Sequence, residues 1–111
     1  MKTTIVILAL ALVVATSASA STGVIFSKRA ASYETHVLLA QPKMISAHCA
    51  LQTRRKLVCR FRFVHAGRTF TADGILVPLT LHSYRQTICI DEKCESSLRK
   101  TPNHSHMIIR A

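Results

Sequence analysis

The chain has 111 residues, with 15 Lys and Arg against 5 Asp and Glu, four Cys and no Trp, and its formal net charge is +10. This length holds at most one small domain, which excludes multidomain enzymes and Rossmann or barrel scaffolds. The excess of cations predicts a partner such as nucleic acid or an anionic surface.

Residues 1–20 have the organisation of a secretory signal peptide. Lys2 precedes an apolar run from Ile5 to Ala15, and residues 18–20 match the small-x-small cleavage pattern. The run is too short for a spanning helix, and no later stretch approaches 18 consecutive apolar residues, so we expect no stable membrane anchor. We predict a secreted, extracellular product with a formal charge of +9, because Lys2 is the one charged residue removed.

The pair Lys28-Arg29 is a second processing candidate, because kexin-type proteases of the secretory pathway cleave after dibasic pairs. Cleavage there would make residues 21–29 a propeptide and leave residues 30–111 as the single secreted domain. The alternative is that the pair consists of two ordinary surface cations, and both interpretations stay open.

Residues 30–41 are expected to form one short helix, which Pro42 ends. A period of 3.6 residues places the following side chains near one helical face: Ala30, Tyr33, Val37, Leu38 and Gln41.

From Ile45 onward the sequence favours strands, most clearly over residues 57–63. The alternation there sets Leu57, Cys59, Phe61 and Phe63 on one face, and Arg60 and Arg62 on the other.

Turn signals divide the rest of the chain. Residues 65–67 form a predicted turn before a return strand over residues 68–72, and Asp73-Gly74 predicts another hairpin before residues 75–77. Pro78 is expected to confine that strand to an edge or to end it. Further strand candidates are residues 85–90 and 107–110. The predicted class is small α+β, with one short helix packed on an antiparallel sheet of about five strands.

Four cysteines in an exported chain of this size predict two disulfides, because a small core gains from crosslinks and the compartment is oxidising. Cys49, Cys59, Cys89 and Cys94 allow three pairings. If residues 91–92 form a two-residue hairpin, Cys89 faces Cys94 at a non-hydrogen-bonded site, which favours this pairing and Cys49 with Cys59. The spacing contains no Cys-x-x-Cys pair, so zinc is disfavoured.

The densest cationic stretch has six basic residues in fifteen positions and no carboxylate: Arg54, Arg55, Lys56, Arg60, Arg62 and Arg68. Such a density can bind phosphates, and Arg60 and Arg62 would project from one sheet face. These six are the candidate nucleic-acid-binding residues. The alternative is a solvated strand face that keeps a small protein soluble.

Six histidines invite metal or acid-base interpretations: His36, His48, His65, His82, His104 and His106. No local motif pairs any of them with a carboxylate or a second catalytic group, and His104-x-His106 alone would bind a metal weakly. We therefore predict no catalytic residue, metal or cofactor. Asn103-His104-Ser105 is an N-glycosylation sequon, which makes Asn103 the candidate modified residue.

The order of signal peptide, dibasic pair, short helix and antiparallel strands is typical of a fungal secreted effector. Four short segments sharpen this likeness: Gly23-x-x-Phe26 before the helix, Leu76-Val77-Pro78-Leu79, the Arg-containing strand over residues 84–90, and residues 107–109 at the end. Together they resemble the ribonuclease-like effectors of powdery mildews, whose fold is that of guanyl-preferring fungal ribonucleases.

The sequence departs from that family at the positions that carry catalysis. Leu76 stands where the ribonucleases have a catalytic Glu, residues 97–101 contain no His, and Arg85 alone matches a catalytic position. The family's terminal cysteines would fall near Ser21 and Ala111 and are missing. The resemblance therefore implies a non-catalytic module that binds RNA or a host protein.

The favoured function is a secreted cationic effector, expected as a monomer, that binds RNA or an acidic host protein and can be taken up into host cells. One alternative is an active ribonuclease that uses histidine residues, and another is a cationic defence protein acting on microbial membranes. The second alternative needs a basic amphipathic helix, and residues 30–41 contain no Lys or Arg.

Overall fold

The computed structural model describes residues 23–111, so the predicted signal peptide lies outside the described residues. The described part forms one helix and seven strands, and all strand pairs are antiparallel. In chain order these are β1 (Val24–Phe26), α1 (Ala30–Leu39), β2 (Met44–Thr53), β3 (Lys56–His65), β4 (Arg68–Thr80), β5 (Ser83–Ile90), β6 (Lys93–Lys100) and β7 (Ile108–Arg110). This is the small α+β fold predicted from the sequence.

Strands β2 to β6 form one five-stranded sheet in chain order, so each strand pairs with its neighbour along the sequence. Two of the turns use consecutive residues with positive φ: Ala66 (53°) and Gly67 (77°), and Asp91 (50°) and Glu92 (69°). Paired positive φ values are those of type I′ turns, whose twist matches that of the strands. Both turns were predicted, and both are confirmed.

Two disulfides crosslink neighbouring strands. Cys49 pairs with Cys59 between β2 and β3, and Cys89 pairs with Cys94 between β5 and β6. Each bridge joins directly opposite residues of its strand pair, with Cα atoms 4.0 Å apart. The favoured pairing is confirmed, and no free cysteine remains.

Alternation along the strands gives the sheet two faces. We call the face covered by α1 and by the β1–β7 pair the inner face, and the opposite one the outer face. The inner face carries Leu57, Cys59 and Phe61 of β3, Ala72, Gly74 and Leu76 of β4, and Tyr84 of β5. The outer face carries His48 of β2, Val58, Arg60 and Arg62 of β3, Asp73 and Ile75 of β4, and Arg85 and Thr87 of β5.

Helix α1 covers both the inner face and the edge of β2. Tyr33 and Leu38 pack against the core, as predicted. The most buried position after Ala30, however, is Glu34, while Gln41 lies beyond the helix and is exposed. The helix is fastened to the edge strand by a hydrogen bond that the Cys49 N–H donates to Thr35 Oγ1 (3.1 Å).

The β1–β7 pair closes the other part of the core. Phe26 is fully buried, its N–H donates to the Arg54 carbonyl (2.6 Å), and Arg54 Nε donates back to the Phe26 carbonyl (2.9 Å). Val24 is buried beside it. Strand β1 therefore lies inside the segment 21–29 that cleavage after Arg29 would remove.

The hairpin predicted at Asp73-Gly74 is wrong, because both residues lie in the middle of the continuous strand β4. Gly74 faces the inner side, where a Cβ atom would lie 3.7 Å from Phe61 Cε1 and 3.8 Å from Cys59 Cβ, both ordinary van der Waals distances. Asp73 points to the outer face, where it pairs with Arg60. Asp73 therefore has an ion-pairing role, and neither residue forms a turn.

Pro78 also lies within β4 and is buried. Pairing of β4 with β3 ends at Leu76, two residues earlier, so Pro78 has no partner residue in β3. Its missing N–H therefore costs no ladder hydrogen bond to β3. The prediction that Pro78 confines the strand to an edge or ends it is wrong, because β4 is the central strand of the sheet and continues to Thr80.

Replacing Phe26 with Ala should lower the free energy of unfolding by about 3 to 5 kcal/mol, because the side chain is fully buried. A chain that begins at Ala30 loses the same side chain and should lose at least as much. Urea denaturation measures both. Ile109→Ala, at an exposed position of the same two-stranded sheet, is the control and should cost about 1 kcal/mol. Equal losses for Phe26→Ala and Ile109→Ala would contradict this role for β1.

Candidate functional site

The six candidate nucleic-acid-binding residues occupy three separate places. Arg60 and Arg62 are exposed and lie two positions apart on the outer face of β3, as their alternation predicts. Lys56 has the same parity at the start of β3, so it too occupies an outer strand position.

Arg54, Arg55 and Lys56 lie where β2 turns into β3, and all three are half-buried. The Arg54 guanidinium is committed to the Phe26 carbonyl, so its role in the described structure is to hold β1 in place. The Arg55 N–H donates to Thr53 Oγ1 (3.1 Å) within the turn. Sequence density therefore overstated how much of this segment is available to a ligand.

Arg68 lies at the far end of β3 and β4, opposite His65. Strands rise by about 3.3 Å per residue, which puts this end about 30 Å from Lys56. Its guanidinium carbon is 5.3 Å from the centre of the Phe70 ring, a cation–π contact on the inner side of the sheet. Arg68 is thus separated from Arg60 and Arg62 by the sheet, because it lies on the opposite face.

Strand β5 adds a cation that the linear stretch did not contain. Arg85 is exposed and lies opposite Val77 of β4 on the outer face. The resemblance singled out this residue as a catalytic match, but it was not among the candidate binding residues. Only the pairing of β5 with β4 reveals that it shares a face with Arg60 and Arg62.

We call Arg60, Arg62 and Arg85 the outer cationic patch. His48 lies directly opposite Arg60 across β2 and β3. On the outer strand positions of the described sheet, Asp73 is the one carboxylate. The aromatic residues of the sheet (Phe61, Phe63, Phe70 and Tyr84) all lie on the inner side.

Asp73 neutralises one cation of the patch. Its Oδ1 accepts a hydrogen bond from Arg60 Nε (2.8 Å), and its Oδ2 accepts one from Arg60 Nη2 (3.4 Å). This hydrogen bond and the carboxylate charge raise the pKa of Arg60. Both side chains are exposed, so water screens the pair and its contribution to stability is small. Its main effect is on the availability of Arg60.

A second titratable group lies on the inner side and was not predicted. Glu34 is only 4% exposed, and burial raises its pKa from 4.5 to about 7, while the positive charge of Arg99 opposes part of the rise. No pattern in residues 30–41 marks this glutamate, because its spacing fits both a solvated and a buried helical face.

Tyr84 is the neighbour of this carboxyl group on β5. Burial, followed by the charge of Glu34, raises the pKa of Tyr84, and Arg99 opposes the rise. Arg99 stands directly opposite Tyr84 across β5 and β6 and lines a cleft of about 580 Å³. The inner side therefore carries three side chains that interact electrostatically: Glu34, Tyr84 and Arg99. Arg85 lies on the opposite face of the sheet.

The histidines of the last loop do not assemble a metal site. His82, His104 and His106 border one depression of about 460 Å³, yet within residues 23–111 no group of three or more potential ligands comes together. Asn103 of the sequon is exposed in the same loop. Helix α1 is much shorter than a bilayer-spanning helix, and residues 23–111 contain no other candidate.

Comparison with known proteins gives no match: no family model, no curated protein and no solved structure is detectably similar to this chain. The resemblance to ribonuclease-like effectors consequently stays a hypothesis that depends on the short segments quoted above.

The raised pKa of Glu34 predicts a loss of stability with rising pH. Between pH 4.5 and 7 the folded state holds a proton on Glu34 that the unfolded state has released, so the free energy of unfolding falls through this window. The full effect is about 3 kcal/mol. Urea denaturation of wild type and Glu34→Gln at pH 4 and pH 8 should show wild type losing this amount relative to the variant.

Glu92→Gln is the matched control, because Glu92 is exposed in the β5–β6 turn and its carboxylate meets water in both states. A stability difference between wild type and Glu34→Gln that stays constant from pH 4 to pH 8 would contradict the burial argument.

Proposed function

We propose that the protein is a secreted effector-type module that binds RNA without cleaving it, through the outer cationic patch. The observation that supports this most directly is the position of Arg62 and Arg85 on a sheet face that no helix or strand of residues 23–111 covers. Neither guanidinium has a carboxylate within salt-bridge distance among these residues.

The composition of the patch favours contacts with phosphates over contacts with bases. Guanidinium groups bind phosphate oxygens with charge-assisted hydrogen bonds. Single-stranded nucleic acid is held by aromatic platforms where bases stack, and the outer strand positions of the described sheet carry no aromatic residue. We therefore expect binding that depends strongly on salt and weakly on sequence.

The arrangement also favours binding over catalysis. Cleavage of a phosphodiester needs an acid, a base and a cation that converge on one phosphate. Arg85, the one position that the resemblance marks as catalytic, lies on the outer face, whereas Glu34 and Tyr84 are buried on the inner side. The sheet separates these groups.

Secretion and uptake into a host cell belong to the same proposal. Two disulfides suit a chain that matures in an oxidising compartment, and the signal-peptide pattern of residues 1–20 indicates the route. An acidic host protein in place of RNA is the competing partner, and the titrations below distinguish the two.

Charge reversal at Arg62 and Arg85 should weaken RNA binding. We expect Arg62→Glu and Arg85→Glu each to lower affinity and to reduce the slope of log K against log salt by about 0.7 to 0.9 per lost phosphate contact. Fluorescence anisotropy with a labelled single-stranded RNA across a salt series measures both. Arg110→Glu, which makes the same charge change at an exposed position of β7, is the control.

If all three variants lost the same RNA affinity, net charge alone would explain the effect. That result would contradict binding of RNA at the outer cationic patch. Absence of salt-dependent binding by the wild-type protein would contradict RNA as the partner and favour an acidic protein. A gel of the same RNA after incubation tests the non-catalytic part of the proposal, because cleavage that survives purification would contradict it.

Replacing Asp73 with Asn should have the opposite effect. The change removes the carboxylate that holds Arg60 and frees that guanidinium for a phosphate. At about 0.15 M salt, one added contact corresponds to a gain of roughly threefold to fivefold in affinity. The same anisotropy titration measures this gain, and weaker binding by Asp73→Asn would contradict the position of the RNA on the outer face.

A further inference from the structure

The two edges of the five-stranded sheet differ. On β2, the Cys49 N–H points away from β3 and donates a hydrogen bond to Thr35 Oγ1 of α1. Strand β6 forms the other edge, all eight of its residues are exposed, and its pairing is with β5 alone. Long exposed edges present a row of unpaired backbone groups, and such a row is a template for another strand.

The turn determines which backbone groups of β6 point outward. In a two-residue hairpin the residues that flank the turn, here Ile90 and Lys93, form a hydrogen-bonded pair. The odd-numbered residues of β6 therefore bond to β5. The even-numbered residues direct their N–H and C=O groups to the open edge, and they are Cys94, Ser96, Leu98 and Lys100.

Antiparallel pairing of two copies of β6 must set even-numbered residues opposite each other, which leaves few registers. With a twofold axis at Ser97, Glu95 of each copy lies opposite Arg99 of the other. A shift of one pair in one direction sets Lys93 opposite Arg99, and a shift in the other direction leaves Glu95 and Arg99 without charged partners. One register therefore combines charge complementarity with four opposed pairs of outward-facing residues.

We infer that two copies of this chain associate through their β6 edges, with a twofold axis at Ser97 and reciprocal Glu95–Arg99 pairs. The arrangement joins two five-stranded sheets into one sheet of ten strands. It replaces the monomer expected from the sequence, and it does not depend on the RNA proposal because it uses Glu95, Arg99 and Leu98 rather than the guanidinium groups of the outer cationic patch.

The exposure of Leu98 supports a second copy of the chain as the partner that binds the β6 edge. Its side chain is 68% exposed, the highest value among the exposed large hydrophobic residues of the described chain. In the proposed register Leu98 stands opposite Ser96 and diagonal to Leu98 of the other copy, and diagonal neighbours across antiparallel strands are within reach of long side chains. Dimerisation therefore shields the most exposed apolar side chain on the edge.

The test is sedimentation velocity on the full chain expressed through a secretory host, with its disulfides intact, from about 1 to 100 µM at 0.15 M salt. We expect a dimer whose dissociation constant rises at least about tenfold in Glu95→Lys, because two attractive pairs become repulsive. Glu92→Lys makes the same charge change in the turn, outside the pairing, and should leave the dissociation constant within about twofold.

A covalent readout tests the register itself. Ser97→Cys should form a disulfide with its own copy, because the residue on the axis faces itself at the close, non-hydrogen-bonded spacing. Ser96→Cys, which faces Leu98, should give little crosslinked dimer on a non-reducing gel. Peptide mapping of Cys49–Cys59 and Cys89–Cys94 verifies that the native bridges persist. A monomer at every concentration, equal effects of Glu95→Lys and Glu92→Lys, or equal crosslinking at positions 96 and 97 would overturn the inference.

Discussion

Because α1 and the β1–β7 pair cover only one face of the five-stranded sheet, strand alternation decides which side chains form the core and which stay available to a partner. Whether a residue has an odd or an even position along its strand decides whether its side chain lies on the inner or the outer face. On β3 this sends Leu57, Cys59 and Phe61 inward and leaves Arg60 and Arg62 outside. A slip of one residue would bury both guanidinium groups and expose the core, so the register of β3 determines stability and surface charge together.

The parts of the fold that could be predicted are those in which a local pattern has one physical meaning. The alternation of β3 and the turn at residues 91–92 are of this kind, and the second of these also determined the disulfide pairing. Asp73-Gly74 was misjudged because a glycine inside a continuous strand looks, in sequence, like a glycine that turns the chain. Strand β6 gave no signal, because a strand exposed on both faces needs no alternation.

The candidate site was predictable only in part, for a related reason. A run of cations along the chain is not a patch in space: the strand carries Arg68 about 30 Å away from Lys56, and Arg54 is held by the Phe26 carbonyl. Arg85 reaches the same face through the pairing of β4 with β5, which no linear window contains. Glu34 was missed because burial of a helical carboxyl depends on what packs over it, and its neighbours Tyr84 and Arg99 come from strands fifty or more positions later.

The edge and the outer face become geometrically connected if β6 pairs with a second copy. A twofold axis between antiparallel edge strands runs perpendicular to the sheet, so the outer faces of both copies lie on the same side. Leu98, which is 68% exposed in a single copy, would then lie between two outer cationic patches. When a polyanion binds one patch, its binding to the second patch becomes an intramolecular event. The overall affinity therefore rises although neither copy gains a cation. Each copy has few free guanidinium groups on its outer face. Dimerisation through the open edge of β6 would present twice as many of them to one ligand.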